Sequence, residues 1–280
     1  LCIVWGGNWI VTHALTWRKI RKLKESGAKL IVIDPRFTAT ASKADEYISI
    51  KPGTDTALAI GMMRVIRDEG VIDQDFMRKY TVAPFLVRQD NGRFLQEKDV
   101  IDDGKDRYLV WDEKNRRAVP AEDTKSSALD ISCTPNGIPC NSSFKLLMDL
   151  LDQYPVDNVS EITEVPADTI RRMAISYATS RPALIFRGWG VQRTFHGDLT
   201  WRAITTLAAM TGNIKLQGPQ GFILNRDAYT NVQGRSYQYL PLLTLYDAID
   251  NGNPYPVKGL WIAAHNFVNQ NPNYDRILNK

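Results

Sequence analysis

The period of apolar and polar positions changes along the chain, and each change marks an element. Leu1-Cys2-Ile3-Val4-Trp5 is an unbroken apolar run of strand length, and residues 29–33 form a second. Such runs suit strands buried on both faces of a parallel sheet. Between them, residues 13–26 repeat at helical spacing. Leu15, Ile20 and Leu23 form the apolar stripe, and Arg18, Lys19, Arg21, Lys22 and Lys24 lie outside it. Gly27 closes this helix. Residues 47–50 predict a short third strand. Residues 55–69 predict a helix capped by Thr54 or Asp55 and ended by Gly70, and residues 73–80 a further short helix. Strand–helix–strand alternation of this kind predicts right-handed crossovers and a parallel sheet.

Residues 84–140 break the pattern. Phe85 to Arg88, then Asn91-Gly92, then Arg93 to Leu95 is a hairpin signal, and residues 108–111 with the turn at 112–115 predict a second strand pair. This stretch reads as an insertion of small antiparallel strands. Helices are then predicted at 143–154 and 166–179, the latter with Pro166 in its first turn. A strand at 183–186 and a glycine-containing loop at 187–192 follow. Residues 198–211 form a long apolar helix closed by Gly212-Asn213. Residues 214–240 are loop-rich, 243–251 helical, and 259–263 a final strand running into Ala264-His265-Asn266. That last unit echoes Val4-Trp5-Gly6-Gly7-Asn8, with an Asn just past a buried strand. The expected fold is α/β: a doubly wound, mainly parallel sheet of dinucleotide-binding type with a small antiparallel hairpin insertion.

Bulk properties narrow the function classes. At 280 residues, 44% hydrophobic and 24% charged, the chain has an ordinary globular composition. No apolar run approaches the roughly 20 residues of a membrane helix. A net charge of +4 suits an anionic ligand but is too weak to argue for nucleic acid. Cys2, Cys133 and Cys140 are odd in number and irregular in spacing, which argues for isolated thiols over a disulfide framework or a zinc or iron–sulfur site. His13, His196 and His265 form no His-x-x-x-His pair, so a metal site built wholly within the chain is not expected. The chain opens inside a strand, and residues 276–280 close no sheet. It is expected to be a piece of a longer protein.

The chemistry gathers at strand ends, where open parallel sheets bind ligands. Gly6 and Gly7 would let backbone approach a phosphate, with a following helix to supply free amides; an ordinary tight turn is the plain alternative. Asp34 could take both ribose hydroxyls, and Arg36 could stack on a base or pair with phosphate; Asp34-Pro35 could equally be a turn starter. Gly53-Thr54-Asp55 is either a plain helix cap or a carboxylate facing the adjacent ring N–H and amino donors of guanine. Gly188, Trp189, Gly190 and Gln192 could meet a second part of the ligand, although Trp189 also suits plain packing. Arg226, Asn231, Gln233 and Gly234 lie in a loop long enough to be functional. No Ser-His-Asp order, Cys-His pair or P-loop is present, so the role read from these residues is to hold a cofactor.

In order and spacing these segments resemble the large subunit of molybdopterin oxidoreductases, the dimethyl sulfoxide reductase and formate dehydrogenase superfamily. The matching residues are Trp5 to Asn8 through His13, Gly27 to Arg36, Ala44-Asp45, Gly53 to Asp55, Gly188 to Gln192, Leu207 to Asn213 and Asn231 to Gly234. The resemblance implies a molybdenum or tungsten ion held between two molybdopterin guanine dinucleotides, each lying on one of two related α/β domains. It implies that residues 1–224 are one such domain, with 84–140 inserted, and that 225–280 begin the return into the sister domain. Gly6, Gly7, Asn8, His13, Asp34, Arg36, Gly53 and Asp55 then fall on the guanine dinucleotide site. Gly188, Trp189, Gly190 and Gln192 fall on the loop near the pterin, and Asn231 in the later polar loop. Arg226 falls close to an arginine that lies near the metal in formate dehydrogenases, which makes it the candidate catalytic residue.

In this family the 4Fe-4S cysteines and the Cys, selenocysteine or Ser that binds the metal lie upstream of the matching region, so no metal ligand is expected in this chain. The expected partners are the remaining domains of the parent polypeptide and an iron–sulfur electron-transfer subunit. The parent would be a bacterial anaerobic oxidoreductase of the cytoplasm or, if exported, the periplasm. The chain departs from the family where Trp9 replaces the usual Pro after Asn8, and at the irregular Gly218-Pro219-Gln220-Gly221. The expected function is the cofactor-binding part of a two-electron oxidoreductase, inactive by itself. Two alternatives stay open: a non-catalytic nucleotide-binding or assembly module, and an NAD-dependent Rossmann dehydrogenase, against which the lack of a Gly-x-Gly-x-x-Gly run counts.

Overall fold

A computed structural model of the chain describes residues 1–214 and 242–260. The chain divides into two units, Leu1–Arg226 and Asp227–Lys280. In the first, the elements run β1 (Cys2–Trp5), α1 (Trp9–Thr12), α2 (Ala14–Glu25), β2 (Leu30–Ile33), β3 (Glu46–Ile48), α3 (Asp55–Asp68), α4 (Gln74–Tyr80) and β4 (Leu86–Arg88). They continue with β5 (Leu109–Asp112), β6 (Arg117–Pro120), β7 (Ser132–Cys133), β8 (Cys140–Ser142), α5 (Ser143–Asp152), α6 (Val156–Thr163), α7 (Ala167–Thr179), β9 (Leu184–Arg187) and α8 (Gly197–Met210). In the second unit, α9 (Leu242–Asn251) is described and agrees with the helix expected there. Most of the strand expected at 259–263 lies outside the described residues.

The sheet that positions the site is four-stranded and parallel, in the order β3-β2-β1-β9. Side chains alternate across it. Ile3, Trp5, Ile31, Ile33 and Ile185 enter a core with Leu58, Met62 and Ile66 of α3, Met173 and Tyr177 of α7, and Ile204 and Leu207 of α8. Cys2, Val4, Leu30, Val32, Leu184 and Phe186 face the other way, onto Trp17, Ile20 and Leu23 of α2. Both faces are therefore dry, which explains why these strands read as unbroken apolar runs. Burying each large aliphatic side chain contributes about 1.5–3 kcal/mol.

Asn213 locks the far end of this core. Its amide donates to the Tyr177 carbonyl at 3.2 Å, and its Oδ1 accepts from the Ala183 N–H at 3.3 Å. The turn after α8 thus joins α7 to the start of β9.

The strands from β4 to β8 pair antiparallel, as expected, but their pairing is broader than a hairpin. β4 runs into the turn at Gly92 and bridges Phe94 through Val87, while its ladder partner is β8, which also pairs with β7. β5 and β6 make a separate pair. The reading of isolated thiols needs one correction of place: Cys133 and Cys140 sit opposite each other on β7 and β8, although all three cysteines are free. Burial pushes the Cys133 thiol up to about 11 and the Cys2 thiol up to about 12.

Other differences have local causes. The turn α1 was not expected, because Trp9-Ile10-Val11-Thr12 is bulky and β-branched. It is held from outside, with Thr40 Oγ1 accepting from the Ile10 N–H at 3.1 Å. Leu15 is 76% exposed, not part of the stripe. At about 100° per residue it stands about 140° around the helix from Ile20, and Trp17 takes the inward place. Helix α6 was missed because its stripe, Val156, Val159 and Thr163, is short and only partly apolar.

On the sheet edge, Glu46 meets Arg172 through two bonds of 2.6 and 2.8 Å and Lys29 at 2.9 Å. The Arg172 guanidinium, then Lys29, holds its carboxyl down at about 2. A depressed folded value stabilises above the ordinary carboxylate range and is lost as pH falls towards that value. Glu46→Gln is therefore expected to lower stability by about 0.5–1 kcal/mol at pH 7, given partners half in solvent. Its denaturation midpoint should converge on that of the native chain between about pH 4.5 and 2. A gap that persists at about pH 1, where the carboxyl is protonated in both states, would assign the effect to packing.

Candidate nucleotide-binding edge

Three loops leave the sheet at one level, and the ladder shows why. Gly6, Asp34 and Gly188 are the first residues past β1, β2 and β9, and each still donates its backbone N–H to a neighbouring strand end: Gly6 to Ile33 O (2.8 Å), Asp34 to Ile48 O (3.2 Å), Gly188 to Trp5 O (2.7 Å). The loops that carry the predicted site residues are thus set side by side by main-chain bonds.

The β1 and β9 loops then close on each other. Gly6 has φ +62°, and a Cβ there would fall 2.4 Å from Val191 Cγ1. A Cβ on Gly188 would fall 1.9 Å from Gly6 O, and one on Gly190 3.0 Å from the same oxygen. Gly53, with φ +82°, brings the β3–α3 loop to Thr194 of the β9–α8 loop. Thr56 and Thr200 hydroxyls, 2.8 Å apart, tie the starts of α3 and α8 together. The β1 and β9 loops thus pack main chain on main chain at Gly6 and Gly188, with the side chains of Val191, Trp9 and Thr194 against Gly6, Gly7 and Gly53.

Two carboxylates stand on this edge. Asp55 opens α3 and is 7% exposed; its Oδ1 accepts from the Trp5 indole at 2.7 Å. Burial raises its pKa, the Trp5 bond opposes this, and the charge of Asp34 raises it further. Asp34 is half-buried, and its Oδ1 accepts from the Arg36 backbone N–H at 2.9 Å. Its pKa is also raised by burial, against the Arg36 N–H and charge. Arg36 itself is exposed.

The remaining predicted residues divide. Asn8 uses its side-chain oxygen on Thr40, accepting from the N–H at 3.3 Å and the hydroxyl at 3.0 Å, so it anchors the loop before β3. His13 sits between α1 and α2 with its ring 4.7 Å from Trp9 and its Nδ1 3.0 Å from Thr12 Oγ1. The helix expected to offer free amides after the Gly6-Gly7 turn is the single turn α1, with the longer α2 starting only at Ala14. Trp189 is 48% exposed, so the plain packing reading does not cover it fully; its ring lies 6.0 Å from Trp201. Gln192 lies in a 3-10 turn after Gly190. Arg226 and Asn231 lie outside the described residues.

Sequence reasoning missed Trp5, Thr40, Val191 and Arg187. Arg187 ends β9, is buried, and places its guanidinium over the Trp201 ring. Burial pushes its pKa down to about 10. A signal for Trp5 did exist: a buried indole needs a partner for its N–H. A separate cavity of about 570 Å³, lined by Met77, Val82, Phe144, Leu147 and Trp201 among others, touches none of the predicted residues. Among the described residues, no group of three His, Cys, Asp or Glu is placed to hold a metal ion.

The molybdopterin oxidoreductase profile matches residues 1–280. The chain belongs to this family. Perchlorate reductase subunit alpha of Dechloromonas aromatica is 31% identical over 80% of this chain and 28% of its own length. Dimethyl sulfoxide reductase DmsA of Escherichia coli is 32% identical over 70% of this chain and 19% of its own length. Among solved structures, acetylene hydratase from Pelobacter acetylenicus superposes with a TM-score of 0.50 at 24% identity, over 75% of this chain and 21% of that one; this likeness concerns the fold alone. The chain spans roughly a fifth to a third of the curated relatives it matches. No helix among the described residues is long and apolar enough to cross a membrane.

Gly6 offers a direct check on the loop contact. Gly6→Ala is expected to cost about 1–2 kcal/mol for its left-handed backbone, plus the clash with Val191. Adding Val191→Ala should recover the clash and leave the backbone cost. Urea unfolding of the two single variants and the double variant reads the coupling; strictly additive losses would show that the two loops do not press together.

Proposed function

We propose that this chain is the cofactor-binding part of a molybdenum or tungsten oxidoreductase, and that its strand-end edge holds one molybdopterin guanine dinucleotide of a bis-cofactor site. The observation that carries the reading is the Cβ-free packing of the Gly6 and Gly188–Gly190 loops at the strand ends, with the buried carboxylate of Asp55 on the same edge, bonded to Trp5 at the end of β1. Strand-end loops that pack main chain on main chain and carry no Cβ there fit a ligand approached by backbone, as a pyrophosphate is. A buried carboxylate whose acceptors are not matched by cations fits a base edge rich in donors.

In this reading residues 1–224 form a doubly wound dinucleotide-binding domain, and 225–280 begin the return to its sister. The strand order turns back between β1 and β9, where a doubly wound sheet places its ligand. Gly6, Gly7 and Gly53 admit the dinucleotide. Asp34 accepts from ribose hydroxyls, Arg36 offsets phosphate charge, and Asp55 receives the guanine edge. Asn8 and Thr40 hold the first loop in place. Gly188, Trp189, Gly190 and Gln192 line the pterin side. By resemblance, Arg226 lies near the metal and Asn231 binds the cofactor. The bound metal supplies two-electron redox chemistry; this chain binds, orients and excludes water. A 4Fe-4S cluster, the metal's protein ligand and an electron-transfer subunit belong to the rest of the assembly. The relatives named for sulfoxide and perchlorate point to oxygen-atom donors, oxides that accept two electrons as they lose oxygen, as the substrate class to screen first.

The test is the composition of the purified full-length protein. Metal analysis together with nucleotide release in mild acid should give molybdenum or tungsten with about two GMP per metal, since each cofactor carries one guanine nucleotide. Adenine nucleotide in place of GMP would favour the NAD reading, and absence of both metal and nucleotide the binding-module reading.

A further inference from the structure

Trp5 ends β1 and is fully buried. It alternates with Cys2 and Val4 onto the face packed by α3, so its indole meets the first residue of that helix. The Nε1–H donates to Asp55 Oδ1 over 2.7 Å, between residues 50 positions apart. As a way to satisfy an indole this is costly, because it keeps a carboxylate out of water. A backbone carbonyl would serve without a buried charge. The Trp5 bond is therefore better explained by what it does to Asp55.

Asp55 has acceptor capacity left over. A carboxylate offers about four lone-pair sites. Besides Trp5, its hydrogen bond comes from its own backbone N–H, and the nearby Asp34 adds repulsion. An acceptor in this position is stabilised by a ligand that donates.

We propose that Trp5 is the positioning residue that gives this edge its base specificity: its N–H pins one oxygen of Asp55 and so fixes the carboxylate for two adjacent donors. Guanine carries that pair, N1–H beside the 2-amino group. Adenine sets an acceptor, N1, beside its 6-amino donor, and a carboxylate that cannot turn away repels it. Unpinned, the carboxylate rotates, and the difference between the two bases shrinks. This inference rests on the reading of Asp55 as the base contact.

The experiment measures competition by GDP and by ADP on the full-length, cofactor-free protein. The variants are Trp5→Phe, Asp55→Asn, and β-(3-benzothienyl)alanine placed at position 5, which keeps the two-ring shape and lacks the N–H. The preference for GDP over ADP is expected to fall about tenfold in both position-5 variants, the scale of one hydrogen bond to a charged group. It should disappear in Asp55→Asn. Equal weakening of GDP and ADP in the position-5 variants, with the preference intact, would reduce Trp5 to packing and overturn the inference. A preference that survives Asp55→Asn would instead remove Asp55 as the base contact, and with it the reading on which the inference rests. The benzothienyl residue settles the matter even where Trp5→Phe does not fold, because the core volume is kept.

Discussion

Gly188→Ala is expected to destabilise the first unit by about 3 kcal/mol or more, at the upper end of overpacking costs. A Cβ at this position would lie 1.9 Å from Gly6 O, 2.5 Å from Gly6 C and 2.6 Å from Gly7 Cα. All three are main-chain atoms, so no rotamer change relieves the contact. The Gly188 N–H is also committed to Trp5 O at 2.7 Å, which fixes the loop's distance from β1. The strain must either stretch the β1–β9 ladder or push the Gly6-Gly7 turn away, and either movement opens the packing of the two loops. Gly190→Ala is the control. Its Cβ would sit 3.0 Å from Gly6 O and 3.8 Å from Gly6 C, a contact that a small loop shift absorbs. Denaturant unfolding should rank the two, and cofactor content in the full-length protein should follow the same order. Similar midpoints for both variants would mean that the two loops are not as closely set as the main-chain distances state.

What was legible in the chain follows the range of the forces involved. The β1 and β2 runs and the start of α3 at Asp55 are local events, and the apolar pattern reports them directly, although Thr54 stands at the cap position without a side-chain cap bond. Asp34, Asp55 and the glycines around 188 could be placed on one edge because parallel strands put their carboxyl ends together. What was not legible depends on contacts far apart in sequence. Thr40 serves Asn8 from 32 positions away, and Trp5 serves Asp55 from 50. No periodicity encodes such a pairing, and the polar partner of a Trp is visible only once strand and helix are packed. Leu15 failed for the opposite reason: local pattern alone was followed, while the inward face of α2 is chosen by the sheet beneath it. Arg187 was passed over as a loop residue, although the ladder carries it into β9 and buries it.

Asp55→Asn should separate binding from stability, because the two requirements conflict at this residue. Asn keeps the shape, and its carbonyl can still accept the Trp5 N–H. What it loses is the charge, and with it two charge-assisted acceptors for the guanine edge, each worth about 1.5–3 kcal/mol. Retention of the guanine dinucleotide in the full-length protein is expected to weaken by about 3 kcal/mol, roughly a hundredfold. Arg36→Lys should cost about 1 kcal/mol or less, since Arg36 is exposed and Lys keeps the positive charge. Cofactor-free, the order reverses. Burial raises the Asp55 carboxyl above its ordinary value of 3.8, so the folded chain holds that proton to higher pH than the unfolded chain does. The stability tied to this group is full below the ordinary value and declines as pH rises through the raised one. Asn does not titrate, so the cofactor-free Asp55→Asn protein should be at least as stable as the native one at pH 7 and flatter with pH above about 4. Guanine nucleotide released per metal, and thermal midpoints of the cofactor-free protein across pH, are the two readouts. Equal nucleotide retention in Asp55→Asn and Arg36→Lys would remove Asp55 from the base site. A cofactor-free Asp55→Asn protein that is clearly weaker at pH 7 would mean that the carboxylate serves the fold and not the ligand.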